Sequence, residues 1–127
     1  MLINLTNHPC RLWSDAQKSA AESLWDEIVD YLFPTVEPES DETSILKLAA
    51  KTTDAIALAK PQAVLCQGEM TLTAVIVSQL QRRGIPCYAA CCARNAEETQ
   101  TKNGETVKTS VFRFVRFRRY PDLSAFN

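Results

Sequence analysis

The sequence predicts an α/β fold: a mostly parallel sheet of about five strands with helices on both faces, and a β-hairpin at its C-terminal end. Short apolar runs at 1–5, 28–33 and 63–66 alternate with helical periodicity, the pattern of β-α-β units joined by right-handed crossovers. Residues 85–92 are nearly continuous in apolar or small side chains, as a parallel strand covered on both faces requires. Residues 111–118 alternate Phe, Val and Arg after a polar stretch centred on Asn103-Gly104, a dipeptide that turns hairpins.

Taken in order, strand one ends at Thr6-Asn7-His8-Pro9, because Pro cannot continue a central ladder and Asn and Thr favour turns. Ser14 and Gln17 have the spacing of a capping box, and Ala16, Ala20, Leu24 and Ile28 recur at four-residue intervals, so helix one runs to about Trp25. Strand two, 28–33, stops at Pro34. The acidic, Pro-punctuated segment 34–42 is a loop whose carboxylates suit the N-terminus of the next helix. Helix two carries the stripe Ile45, Leu48, Ala49, Thr52, Ile56 and Ala59, with Lys47, Lys51, Asp54 and Lys60 off it. Strand three, from Ala63, meets an elbow at Gly68. A helix over 70–83, apolar on most sides, follows and ends at Gly84, where a left-handed residue belongs. Strand four covers 85–92, the polar residues 95–110 form a mobile ribbon, and strand five, 111–118, returns antiparallel. The tail after Pro121 reads as loose.

With 127 residues, 46% of them apolar, the chain suits one domain with a core and is too short for two. Fourteen basic and 15 acidic residues give a net charge of −1, so no global field exists for grasping duplex DNA or an anionic membrane. Five cysteines without a C-x-x-C spacing indicate neither a disulfide framework nor a zinc site, and reduced cytoplasm is the expected compartment. No secretory leader is visible, and no apolar run reaches the roughly 18 residues of a membrane span. The three glycines also exclude G-x-G-x-x-G and G-x-x-x-x-G-K-[ST].

Ligands of such sheets bind past the strand C-termini at the switch point. In the common order 2-1-3-4 that point sets Thr6-Asn7-His8 opposite Gln67-Gly68-Glu69. The Gly68 elbow and the first turn of the next helix, with Met70, Thr71 and Thr73, suit an anion such as phosphate or merely a plain βα turn. Arg94 and Arg113 are placed to serve the rim. His8, the only histidine, is a turn residue or an acid–base group. Glu69 is a first-turn acid that complements the helix dipole, or else a general base or ribose acceptor. Arg116 and Arg118 read as strand residues in ion pairs, and the phenylalanines between them as core in preference to a base-stacking platform. Cys66 and the Met70 side chain need no explanation beyond packing.

Residues 5–9 (Leu-Thr-Asn-His-Pro), Trp13-Ser14, 33–38 (Phe-Pro-Thr-Val-Glu-Pro), 67–71 (Gln-Gly-Glu-Met-Thr) and 112–118 together resemble small CRISPR-associated proteins of type III loci. Those proteins are similar to CARF domains, Rossmann-like homodimers that bind cyclic oligoadenylate messengers across a two-fold axis. Several are ring nucleases that cut the messenger. The resemblance implies a Rossmann-like, CARF-like domain and a homodimer that binds cyclic oligoadenylate, cyclic tetra-adenylate first. It also implies attack by a messenger 2′-OH on its neighbouring phosphate, with no metal or other cofactor. Position in the chain then assigns His8, Asn7 and Glu69 to catalysis, and Thr6, Gln67, Gly68, Met70, Thr71, Thr73, Arg94 and Arg113 to binding. A binder that sequesters the messenger uncut, and an N-glycosyl transferase-like enzyme acting through Glu69, are the alternatives.

Overall fold

Every residue of β1 (Leu2–Thr6) is buried, which places that strand inside the sheet rather than at its edge. The computed structural model describes residues 1–126. In it β1 is flanked by β2 (Ile28–Leu32) and β3 (Ala63–Gln67), both parallel to it. β4 (Cys87–Gln100) joins β3 in parallel, and β5 (Thr106–Arg119) closes the sheet antiparallel to β4, giving the order β2-β1-β3-β4-β5. The α/β class, the mostly parallel sheet and the C-terminal hairpin are those the sequence predicts.

Strand alternation sorts the core into two layers. Ile3, Leu5, Val64 and Cys66 face α2 (Glu42–Leu58) and α3 (Met70–Arg82) and pack with Phe33, Ile45, Ala49, Ile56, Leu72, Ile76 and Leu80. Leu2, Ala63 and Leu65 face α1 (Asp15–Trp25) and pack with Trp13, Ala21, Trp25 and Phe117. The Trp25 ring meets Tyr88 and Phe117 edge-on at 4.9 and 5.3 Å between centroids, an arrangement aromatic quadrupoles favour.

Caps set the helix starts. Ser14 Oγ accepts from the Gln17 N–H at 3.2 Å, and Asp41 Oδ1 from the Ser44 N–H at 2.9 Å. Gly84, at φ +74°, closes α3 in the left-handed conformation that its sequence position predicts. No helix among the described residues is long and apolar enough to cross a membrane.

The β-ribbon expected over 95–110 is present and turns at Asn103-Gly104, where Gly104 has φ +79°, and its ladder carries β4 and β5 past the expected bounds 85–92 and 111–118. One expectation changes. Among the described residues the segment after Pro121 is not loose. The carboxamide of Gln81 donates to the Pro121 carbonyl at 2.9 Å and accepts from the Leu123 N–H at 3.1 Å, while the Tyr120 hydroxyl donates to the Cys66 carbonyl at 2.8 Å. Turn-forming composition cannot announce a tail that is fixed by a helix about 40 residues away.

Candidate functional site

Beyond Tyr88 the ladder between β3 and β4 stops: only Val64–Cys87 and Leu65–Tyr88 pair. The strands diverge there, and the Gln67 side chain spans the gap by accepting from the Ala90 N–H at 2.8 Å. On the α1 side this opens a groove of about 600 Å³. One wall is polar and built from strand ends and the α1 entrance: Thr6, Asn7, His8, Ser14, Gln17 and Gln67. The other is apolar: Leu12, Trp13, Ala90, Cys92, Phe112 and Phe114.

A network anchored on a buried asparagine shapes the polar wall. Asn4, only 1% exposed, donates through Nδ2 to Asp30 Oδ1 and to the His8 carbonyl, both at 2.8 Å. Its Oδ1 accepts from the Thr6 hydroxyl at 2.8 Å, and Thr6 Oγ1 in turn accepts from the His8 N–H at 3.1 Å. Trp13 Nε1 donates to the same His8 carbonyl at 3.1 Å. The backbone of His8 is thus held from three sides, while its exposed imidazole makes no hydrogen bond among the described residues. Burial opposes ionisation of Asp30, but hydrogen bonds from Asn4 and from the Cys10 N–H outweigh it and hold the carboxyl below the usual carboxylate range.

The apolar wall owes its shape to a bulge. Cys91 pairs with Arg116 but Cys92 pairs with Phe114, so Val115 is an extra residue and the alternation of β5 restarts there. Phe117, Phe114 and Phe112 consequently share the α1 face. Phe117 is core. Phe112 is 66% exposed, and the Arg94 guanidinium lies 6.0 Å from its ring centre, held by Nε and NH2 donations to Ser110 Oγ at 3.1 and 3.0 Å.

Of the residues chosen from sequence, Thr6, Asn7, His8, Gln67 and Gly68 meet in this groove, and Arg94 stands at its far margin. Arg113 alternates away from Phe112 and Phe114, onto the opposite face. Met70 and Thr73 line a separate shallow groove along α3. Glu69 caps α3: its carboxylate accepts from the Thr71 hydroxyl and from the N–H groups of Thr71 and Leu72 at 2.6 to 2.9 Å, and these bonds lower its pKa. The Gly68 N–H is likewise engaged, by Thr73 Oγ1 at 3.1 Å. The first turn of α3 therefore meets its own donors' needs instead of offering them to an anion.

Sequence reasoning missed Trp13, Ser14, Gln17 and Cys92 as groove residues. Ser14 and Gln17 are legible only as a cap, and a 3-10 turn over Cys10–Leu12 carries Leu12 and Trp13 back across the strand ends. A buried Asn within an otherwise apolar strand is the signal that could have shown how the His8 loop is held. Burial pushes the Cys66 thiol far up and that of Cys87 up to about 12, so neither is a nucleophile near neutral pH. Among the described residues no three His, Cys, Asp or Glu side chains gather as a metal site.

The role of Glu69 as a cap has a measurable consequence. A carboxyl whose pKa is lower in the folded state stabilises fully above its ordinary value of 4.5 and loses that contribution as pH falls through the folded value. Glu69→Ala is therefore expected to lower the melting temperature at pH 7, with the gap to the parent protein narrowing below about pH 4.5. An unchanged gap across that range in thermal melts would remove the carboxylate cap from the explanation.

Residues 1–118 match the model of the family described as Uncharacterized protein MJ1673 family. No curated protein and no solved structure matches the chain.

Proposed function

The chain belongs to the MJ1673 family, and we propose that it is a cytoplasmic ring nuclease that binds and cleaves a cyclic oligoadenylate, cyclic tetra-adenylate first, and so ends type III CRISPR signalling. The observation that carries this reading is the exposed Phe112 ring, backed by Arg94, lining the same groove as Asn7, His8 and Gln67. An aromatic face suits a nucleobase, and carboxamides suit the donor–acceptor edge of adenine. The sequence resemblance to CARF-like proteins supplies the messenger class.

The chemistry then falls to positioning and to one imidazole. A groove that fixes the ribose with its 2′-OH in line with the neighbouring phosphate supplies proximity, and His8 accepts the 2′-OH proton as the oxygen attacks phosphorus. The P–O5′ bond breaks and the departing oxygen takes a proton from water, leaving a 2′,3′-cyclic phosphate and a 5′-hydroxyl, while His8 returns the 2′-OH proton to solvent. Arg94, on the same face, is the nearest cation for the phosphate charge. A two-fold dimer would present an identical groove to each half of a symmetric ring. Incubation with radiolabelled cyclic tetra-adenylate in EDTA, followed by chromatography, tests this: linear fragments ending in cyclic phosphate are expected, and a requirement for Mn²⁺ or Mg²⁺ would overturn the mechanism.

One observation favours a second reading, in which the protein sequesters the messenger uncut. Glu69 is committed to α3, and Arg94 is the only cation at the groove among the described residues, so the means of stabilising a charged phosphorane are few. Intact messenger recovered from a tight complex would decide for it. The glycosyl-transferase alternative loses its nucleophile for the same reason, since the Glu69 carboxylate faces its own helix.

Both messenger readings place a base on Phe112. Phe112→Ala is expected to weaken messenger binding by about tenfold, at the lower end of what one stacked base is worth. Thermal stability should barely change, because the ring is mostly exposed. Equal affinity of the two proteins in a titration would take the base off this ring.

A further inference from the structure

The bulge that turns Phe112 and Phe114 toward the groove also gathers Arg113, Arg116 and Arg118 on the opposite face of β5, where they stand across the ladder from Ala93, Cys91 and Ala89. These neighbours are small and uncharged. The ion pairs among the described residues, Arg83–Asp54 and Lys108–Glu98, involve none of the three arginines. In a chain of net charge −1 this is a concentrated, uncompensated basic row on an open sheet edge.

The other edge is its complement. β2 pairs only with β1 and leaves Val29, Tyr31 and Leu32 substantially exposed, as β5 leaves Val115. Four residues after β2 the chain carries Glu37, Glu39, Asp41 and Glu42, all exposed and without a cationic partner among the described residues. Open edges with apolar side chains are association surfaces unless they are guarded. Here each edge is guarded by charge only against a copy of itself. A two-fold β5–β5 contact would set arginines beside arginines, and a β2–β2 contact would bring the two acidic segments together, whereas β5 against β2 joins opposite signs.

The registers put residues of the two edge strands on common rows. Asp30, Asn4, Leu65, Tyr88 and Arg119 form one row across the sheet. One step up, Tyr31 is level with Arg118. Past Leu32 the chain leaves β2, and after Phe33–Val36 the acidic residues Glu37, Glu39, Asp41 and Glu42 follow in the connection to α2. Because β2 runs with the parallel strands and β5 runs against them, two copies in the same orientation would place β5 of one antiparallel to β2 of the next, continuing the sheet.

We propose that the chain associates head to tail with further copies of itself, the β5 edge and its row Arg113, Arg116 and Arg118 docking against the β2 edge and the acidic segment 37–42 of the neighbour. The contact is heterologous, so it propagates instead of closing at two copies. It stands independently of the messenger reading.

Sedimentation velocity over a range of protein concentrations tests it, at about 50 mM and about 500 mM salt, since screening shortens the reach of exposed charges across that span. Species larger than a dimer are expected at low salt and should dissociate at high salt. R113E/R116E/R118E alone and E37K/E39K/E42K alone should each lose the large species, and an equimolar mixture should regain them, because each variant then offers the other opposite charge at both edges. Asp41 is left in place because it caps α2. Should the arginine variant fail to fold, the exposed-loop variant carries the test with R116E/R118E as its mixing partner. A wild-type protein of one size under all conditions, or a mixture that regains nothing, overturns the proposal. If that protein instead binds single-stranded RNA in a salt-dependent way that R113E/R116E/R118E abolishes, the row serves a polyanion and the self-association is likewise overturned.

Discussion

His8→Ala is expected to slow cleavage of cyclic tetra-adenylate by about 10²-fold or more, while leaving the affinity for the messenger nearly unchanged, because a proton-transfer group acts mainly in the transition state. The structure makes this a clean substitution. The backbone of His8 is fixed by Asn4, Thr6 and Trp13, whose hydrogen bonds go to its N–H and carbonyl and not to the imidazole, so the variant loses a side chain and keeps the loop. Single-turnover cleavage alongside equilibrium binding separates the two quantities. A fully active variant would sink the assignment, and equal losses in binding and cleavage would recast His8 as a contact residue. Asn4→Ala provides a contrast: it frees the loop, and cleavage should fall because the imidazole is no longer held in one place. Its effect is conformational, so it should be accompanied by a lower melting temperature, which His8→Ala should not show.

The fold is legible because its signals are local. Alternating β and α periodicities, Ser14 and Gln17 as a cap, Gly84 as a stop and Asn103-Gly104 as a turn each depend on a few neighbouring residues. The site is half legible. Strand ends at the switch point follow from topology, which is enough to find Thr6, Asn7, His8, Gln67 and Gly68. The far wall is hidden because it depends on one extra residue in β5. With unbroken alternation Val115 and Arg113 would share the face of Phe117, and only the bulge at Val115 puts Phe114 and Phe112 on the groove side and Arg113 behind them. Glu69 shows the converse limit. An acid at a helix start is compatible with capping and with catalysis, and only the direction of its carboxylate, toward the N–H groups of Thr71 and Leu72, separates the two.

Gly68 carries the other large expected effect, and for a reason the elbow motif does not reveal. A Cβ at this position would lie closer than 3.0 Å to Cγ, Cδ1 and Cε1 of Phe33, a ring that is 3% exposed and packed between the strand ends and α2. The obstruction is the body of an aromatic ring instead of the free end of a flexible chain, so either the ring or the elbow must shift. Gly68→Ala is accordingly expected to destabilise the protein by about 3 kcal/mol, the upper part of the usual range for overpacking a core. Phe33→Leu alone should cost less, and in the double variant the two losses should be markedly less than additive, because the smaller side chain vacates the space the new methyl needs. Denaturant midpoints of the four proteins complete the cycle. Additive losses would show that Gly68 is required for its backbone and not for the room it leaves to Phe33, and an alanine variant as stable as the parent would show that the ring yields freely.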